Sequence, residues 1–304
     1  IIMSSKAKSC QLDPIPTWIL KGCIDALLPI ITTIINSSLE QGYFPSKLKE
    51  SLVRPSIKKS TLDPEDDNSF RPISNLSFLS KTTERIVADQ LDNYLVDNHL
   101  YANLQSAYRR HHSTETALLR VFNDINSAID NQYECVLVLL DLSAAFDTID
   151  HHTLINRLEK RYGISGLALK WLKSYLRDRK QCVVVDGTYS NPRLVGCGVP
   201  QGSVLGPLLF SLYYAPLEDV ITAHGIDAMM YADDSQLYVT LKRSNRAVGL
   251  EHLEQCIDKV IEWNTQNGLK CNPTKTEVIH FYSRFTPSDS ISHIRVGTAI
   301  IEPA

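Results

Sequence analysis

The eight residues ECVLVLLD, at positions 134–141, constrain this chain more than any other stretch. From Cys135 to Leu140 the run is continuously apolar, with no polar alternation. That is the pattern of a strand buried on both faces. It closes on an acid, Asp141. A carboxylate ending such a strand lies at the end of a sheet, where connecting segments carry function.

A second acidic feature follows about ninety residues later. YADDSQLY (231–238) sets Asp233 and Asp234 between a short apolar run and an alternating one. The stretch DAMMYADDSQLYVTL predicts two short strands around a turn at Asp233-Asp234-Ser235. From Cys135 onward the expected order is strand, helix within 203–220, strand-turn-strand over 227–241, helix over 245–267, and strand over 275–282. This is the split β-α-β-β-α-β arrangement of an α+β domain. Its first and third strands lie side by side at the sheet centre, so three acids distant in sequence are expected to meet. Left bare they would repel. A shared proton or divalent cations would compensate them, and hard oxygen ligands favour Mg²⁺. Two such ions, about 3.5–4 Å apart, activate an attacking hydroxyl and stabilise a leaving pyrophosphate. The competing reading of Asp233-Asp234 is a solvated turn, for which Asp is well suited.

The remaining sequence fits a globular chain of 304 residues, 43% hydrophobic and 21% charged. A net charge of −3 gives no global bias towards polyanions, so any such site must come from local clustering. One cluster exists: between Arg157 and Lys180 eight Lys/Arg stand against two acids, a local net of +6. Arg157, Lys160, Lys170 and Lys173 belong to it, as a solvated helix face or as a polyanion contact. The seven cysteines show no C-x-x-C spacing, which speaks for an intracellular setting; nucleus or cytoplasm is not resolved. No apolar run reaches membrane-spanning length, and the start lacks a signal peptide. The chain does not begin with Met and reads as a fragment.

Locally, residues 14–45 suggest short helices broken at Pro14, Pro16, Pro29 and Pro45. Residues 47–59 suggest a strand with basic flanks, and 60–70 an exposed loop. A helix is predicted over 80–98, with Ser80 as N-cap and Ile86, Val87, Leu91, Tyr94 and Leu95 on its buried stripe. Another should run from Ser113 to Ile129 behind a capping box. A hairpin is expected to turn at Asp186-Gly187. The loop PQGS should lead into a helix with Pro207 in its first turn. In the 245–267 helix, Leu253, Cys256, Ile257, Val260 and Trp263 share a face, and Gly268 suits the C′ position.

Six blocks in this order resemble one family. LLDLSAAFDTIDH (139–151), GVPQGSVLGPLLFSLY (198–213), YADD (231–234) and GLKCNPTKTEVIHF (268–281) look like the palm motifs of reverse transcriptases. FRPISNLSFLSKTTERIVADQL (70–91) and QSAYRRHHSTETALLRV (105–121) resemble the fingers motifs of the non-LTR (LINE-type) retrotransposon branch, as does LDPIPTWILK (12–21). The resemblance implies right-hand polymerase fingers and palm with the thumb largely missing. It divides the chain into an N-terminal helical extension (1–45), fingers (46–130), palm (131–285) and the start of a thumb or connection (286–304).

The resemblance also implies roles. Asp141 and Asp233 match metal ligands, Asp234 the less direct second acid of the pair, and the Leu142 carbonyl a further ligand. Phe146 matches a steric gate that rejects a ribose 2′-OH, with core packing as the alternative. Gln201 and Gly202 match a loop against the incoming nucleotide and template, or form a mere turn. Lys275 matches a lysine that protonates or holds pyrophosphate, or is a surface lysine. Arg71, Lys81, Arg85 and Arg109 are candidates to bind the triphosphate, with Lys81 and Arg85 favoured; Arg71 and Arg109 also suit template phosphates or bracing. The implied cofactor is Mg²⁺, two ions, with Mn²⁺ also possible. The implied partners are an RNA template, a DNA primer and dNTPs, and the oligomeric state is left open. The implied reaction is RNA-directed DNA synthesis; the alternative is a catalytically inactive nucleic-acid-binding remnant or domesticated fragment.

Overall fold

A computed structural model describes residues 1–6, 8, 10–285 and 291–304. The chain forms two compact units, one of residues 1–100 and 149–210, the other of residues 101–148 and 211–304.

The second unit carries the acidic motifs. Its sheet has the order Glu277–Phe281, Glu134–Leu140, Asp234–Leu241, Asp227–Tyr231, with every neighbouring pair antiparallel. The first and third strands of the split pattern are the central pair, as the sequence predicts. Cys135, Val136, Val138 and Leu140 are almost fully buried, so both faces of this strand are covered. Ala117, Val121 and Ile125 of the Thr114–Asp130 helix pack on Cys135, Leu137, Met229 and Tyr238. Val121, Ile125 and Leu137 each contribute about 1.5–3 kcal/mol when removed from water. The helix begins with the expected box: Ser113 accepts from the Thr116 N–H, and Thr116 Oγ1 accepts from the Ser113 N–H. The Arg246–Gln266 helix buries Leu253, Cys256, Ile257 and Val260; Trp263 is only half-buried and Asn264 fills the face instead. Gly268 follows it with φ +68°, the left-handed C′ geometry that glycine permits.

The first unit is built on a second sheet, in which Glu50–Ile57 pairs antiparallel with Phe70–Asn75 and parallel with Arg179–Val185. The Arg179–Val185 and Thr188–Tyr189 strands are joined by Asp186-Gly187, both with positive φ, as a type I′ hairpin requires. Helices Ile24–Gln41, Phe78–Asp97, His151–Lys160 and Gly166–Leu176 also belong to this unit. Phe44 packs edge-on against Trp171 and Tyr175, which stack on each other.

Several local expectations are corrected. Pro29 does not break the N-terminal helix, which runs from Ile24 through Gln41. The proline falls in the second turn, where only one ladder bond is lost. The helix predicted over 80–98 starts at Phe78, and its N-cap is Ser77, whose hydroxyl accepts from the Ser80 N–H. Ser80 is buried and donates to the Leu48 carbonyl. Leu91 and Leu95 are buried, but Tyr94 is exposed, its hydroxyl donating to the Tyr162 carbonyl. The acidic hairpin turns at Ala232-Asp233, one residue earlier than expected, because Tyr231 pairs with Asp234. The last strand of the sheet begins at Glu277, and Lys275 sits in the 3₁₀ turn Pro273–Lys275 before it. Of the segment expected to begin a thumb, residues 286–290 lie outside the described residues; Ile294–Val296 and Ala299–Ile301 form a small hairpin. Among the described residues no helix is long and apolar enough to cross a membrane.

Candidate active site

Register places the acids. Leu140 pairs with Ser235, so one step further along the two central strands Asp141 faces Asp234. On the other side the main chain of Asp141 meets Asn272, and Lys275 reaches the Asp141 side chain from the 3₁₀ turn just before the Glu277–Phe281 strand. A row Lys275–Asp141–Asp234 therefore crosses the ends of three adjacent strands, and Asp233 occupies the hairpin turn beside it. Lys275 Nζ lies 3.2 Å from Asp141 Oδ2. The Asn272 N–H donates to the Asp141 carbonyl at 2.9 Å, and Leu142 pairs with Cys271, which fixes the backbone on either side of the acid. Burial pushes the Asp234 carboxyl above the usual range; the charges of Asp233 and Asp141 push it further, and Lys275 offsets part of this.

Among the described residues no group of three or more His, Cys, Asp or Glu is arranged to hold a metal ion. The donor set nevertheless suits a divalent cation. It offers only hard oxygens, it accumulates negative charge, and a lysine ammonium already rests on one member of it.

Phe146 is half-buried, in the turn that follows Leu142–Ser143. This turn passes through Ala144 with φ +51°, and the Asp147 N–H donates to the Ala144 carbonyl. Arg109 is committed locally: Nη1 donates to the carbonyls of Ala102 and Gln105, and the guanidinium lies 4.7 Å from the Tyr101 ring centroid. Of the readings open for Arg109, bracing is the one this geometry favours.

The other candidates lie in the first unit. Gln201 and Gly202 sit in a loop pinned to the sheet, where the Ser74 N–H donates to the Gln201 carbonyl at 2.7 Å. Gly202 has φ +116°, and a Cβ there would stand 2.7 Å from the Ser74 carbonyl oxygen. Its glycine is thus required by the protein's own backbone. Lys81 and Arg85 line a polar cavity of about 730 Å³ together with Lys6, Lys8, Asn75 and Asp89. Arg71 is exposed on the Phe70–Asn75 strand. Lys160, Lys170 and Lys173 are exposed and Arg157 is half-buried on their two helices. Arg179, counted in the same basic stretch, is 1% exposed; it donates to the Tyr175 carbonyl and stacks over the Tyr175 and Phe44 rings. It is a structural cation, because its position in the sheet turns it inward.

Sequence reasoning missed two buried polar side chains. Glu84 is fully buried and accepts from the Val204 and Leu205 N–H groups at 2.8 and 3.1 Å, from the Tyr175 hydroxyl, and from the Ser80 hydroxyl. It anchors the start of the Leu205–Tyr214 helix just beyond Gln201 and Gly202. Glu84 lies seven residues before Leu91 on the helical stripe, and an acid there was the available signal. Gln105 is the other, and nothing in its sequence neighbourhood marks it. Tyr108, about half exposed and at φ +58°, also belongs to the neighbourhood: the partial burial of its phenol, and then the charge of Asp233, push its pKa up.

The family model described as Reverse transcriptase (RNA-dependent DNA polymerase) matches residues 57–294. The chain belongs to the reverse transcriptase family. It is 34% identical over 274 residues to the probable RNA-directed DNA polymerase from transposon BS of Drosophila melanogaster, covering 88% of this chain and 30% of that protein. It is 30% identical over 271 residues to the RNA-directed DNA polymerase from mobile element jockey of the same organism, covering 86% of this chain and 28% of that one. The resemblance to the LINE-type branch is borne out by these relatives, and this chain spans less than a third of their length. A solved structure, apo telomerase from Candida tropicalis truncated from its C-terminal domain, superposes with a TM-score of 0.58 at 13% identity, covering 84% of this chain and 54% of that one. That likeness shows the fold alone, and it agrees with a polymerase fingers and palm. Nothing in these comparisons favours the inactive-remnant alternative.

Proposed function

We propose that this domain extends a DNA primer along an RNA template. The observation that carries the reading is the row Lys275–Asp141–Asp234 with Asp233 in the adjoining turn. The reaction joins the primer 3′-oxygen to the α-phosphorus of a dNTP and breaks the bond to the β-phosphate, releasing pyrophosphate. Asp141, Asp233 and Asp234, with the Leu142 carbonyl, would hold two Mg²⁺, or Mn²⁺. Bound there, the ions supply charge neutralisation for the attacking and leaving oxygens.

The chain's own groups do the rest. The carboxylates take the positive charge that orients the triphosphate. The Lys275 ammonium, released from Asp141, meets the charge or supplies the proton that pyrophosphate needs on leaving. Phe146 stands under the sugar and excludes a 2′-hydroxyl. Gln201 and Gly202 form the wall beside the nucleotide and template. Lys81 and Arg85, with Arg71, meet the triphosphate or template phosphates. Arg157, Lys160, Lys170 and Lys173 bind the backbone of the primer–template without reading its sequence. The fingers are assigned to 46–130 and the palm to 131–285.

The test is Mg²⁺-dependent extension of a DNA primer on an RNA template at low salt. Wild type should extend and Asp233→Ala should not. Equal extension by both proteins would defeat the reading.

A further inference from the structure

We propose that Gln105 is the positioning residue of the acidic hairpin. Its side-chain amide stands in for a peptide group and supplies the last rung of a strand ladder, at Ala232. The inference rests on the polymerase reading above and adds what holds Asp233 in place.

Residues 104–106 run parallel to the outer hairpin strand as an isolated bridge between Gln105 and Met230. The Met230 N–H donates to the Leu104 carbonyl at 2.7 Å, and the Ser106 N–H donates to the Met230 carbonyl at 2.9 Å. In a parallel ladder the next rung would use the main chain of residues 106 and 108 against Ala232. The main chain turns away instead, through Tyr108 with φ +58°. Gln105 completes the rung. Its Nε2 donates to the Ala232 carbonyl at 3.0 Å, and its Oε1 accepts from the Ala232 N–H at 3.0 Å. The same Oε1 accepts from the Ala107 N–H at 2.9 Å, which ties the clamp to its own loop.

Ala232 needs such a hold. It is the first residue of the two-residue turn and has φ +57°, a left-handed conformation that glycine adopts more readily than alanine. The N–H and the carbonyl belong to the two peptide units on either side of its Cα. Holding both fixes φ and ψ together, and so fixes where the next residue, Asp233, begins. Gln105 is 2% exposed and Ala232 is 7% exposed, so water does not readily replace either bond. The demand is specific. Asparagine is one methylene too short, methionine has the length but no amide, and each leaves Ala232 unpaired.

The test uses the purified metal-free chain and Mn²⁺ as probe. It compares wild type with Gln105→Met, Gln105→Asn and a control, Val296→Ala, which removes buried volume from the small C-terminal hairpin. Two quantities are read: hydrogen exchange at the Ala232 amide, and the Mn²⁺ dissociation constant from water-proton relaxation. In wild type the Ala232 amide should be protected. In both Gln105 variants it should exchange about tenfold faster or more, and Mn²⁺ should bind about tenfold more weakly. Val296→Ala should change neither.

An unprotected Ala232 amide in wild type overturns the proposal, whether or not the variants fold. So does a folded Gln105→Met protein with wild-type Mn²⁺ affinity, or a control that weakens Mn²⁺ as much as the Gln105 variants. Neither readout depends on extension. A wild type that shows the clamp and binds Mn²⁺ but extends no primer would count against the polymerase reaction alone.

Discussion

The ammonium of Lys275 and the carboxylate of Asp141 meet at 3.2 Å across the ends of two paired strands. Their side chains are 58% and 27% exposed, so the pair sits in a solvent-screened setting where such contacts contribute about 0–1 kcal/mol. Stability therefore does not explain it. Lys275→Met should shift the unfolding free energy by less than about 1 kcal/mol and slow single-turnover extension about 100-fold or more. Urea titration and rapid-quench extension give the two numbers. A variant that unfolds easily but turns over normally would make the lysine structural.

Asp234 should be a case of stability yielding to function. Its carboxyl titrates above its unfolded value because of burial and the neighbouring acids. The folded protein thus holds the proton more tightly than the unfolded one. Stability falls as pH rises from the unfolded value through the folded one, and it recovers as pH falls back. Asp234→Asn should raise the melting temperature of the metal-free protein at pH 7, reduce that pH dependence, and lower extension. Melts from pH 3.5 to 7.5 without and with Mg²⁺ check this; an unchanged profile would refute it.

Glu84 Oε2 gathers three donors, the Val204 and Leu205 N–H groups and the Tyr175 hydroxyl, in a site sealed from water. Glu84→Gln can keep an acceptor on the two N–H groups and the phenol but loses the charge that strengthens those bonds, and should cost about 1–2 kcal/mol. Glu84→Ala should cost about 3 kcal/mol or more. Both are read from urea unfolding, and a loss below about half a kcal/mol would mean that the carboxylate is dispensable.

Gly202→Ala would push a methyl against the Ser74 carbonyl at 2.7 Å from a backbone that L-residues avoid. It should cost about 2 kcal/mol or more. Gly187→Ala, a hairpin-turn glycine with open space around it, should be milder because only its φ is unfavourable. Equal losses at the two positions would mean that the Ser74 contact does not matter.

Phe146→Ala should let ribonucleotides in. The ratio of kcat/KM for a dNTP over the matching rNTP should fall about tenfold or more, with folding largely kept because the ring is only half-buried. An unchanged ratio would assign the ring to packing.

Most of the acidic unit was legible because its signals are periodic and local. The unbroken run at 135–140 marked a central strand, and the order of elements from there to 281 fixed which strands are neighbours. The Ser113 box and Gly268 were readable because each cap partner lies within a few residues. The failures share the opposite property. Ser77 displaced Ser80 as the cap because Ser80 is drawn to the Leu48 carbonyl, 32 residues away. The turn moved to Ala232 because Gln105, 127 residues away in sequence, stabilises a conformation that alanine would not choose. Arg179 was counted with the basic stretch because the Tyr175 and Phe44 rings that cover it belong to other elements, and Glu84 went unmarked because its backbone donors at Val204 and Leu205 lie about 120 residues away.

The row of side chains across three strand ends makes the domain sensitive to spacing in a way that substitution alone does not reveal. Inserting one residue anywhere in 134–141, 234–241 or 277–281 reverses which face every later side chain of that strand meets. Two inserted residues restore the face but carry the acid or the lysine about 7 Å past its partner. Composition in these strands is negotiable among apolar residues; their length in residues is not. Inherited variation in number should therefore collect in connections such as 60–69 and 190–192, while the count from Glu134 to Asp141 and from Tyr231 to Leu241 stays frozen.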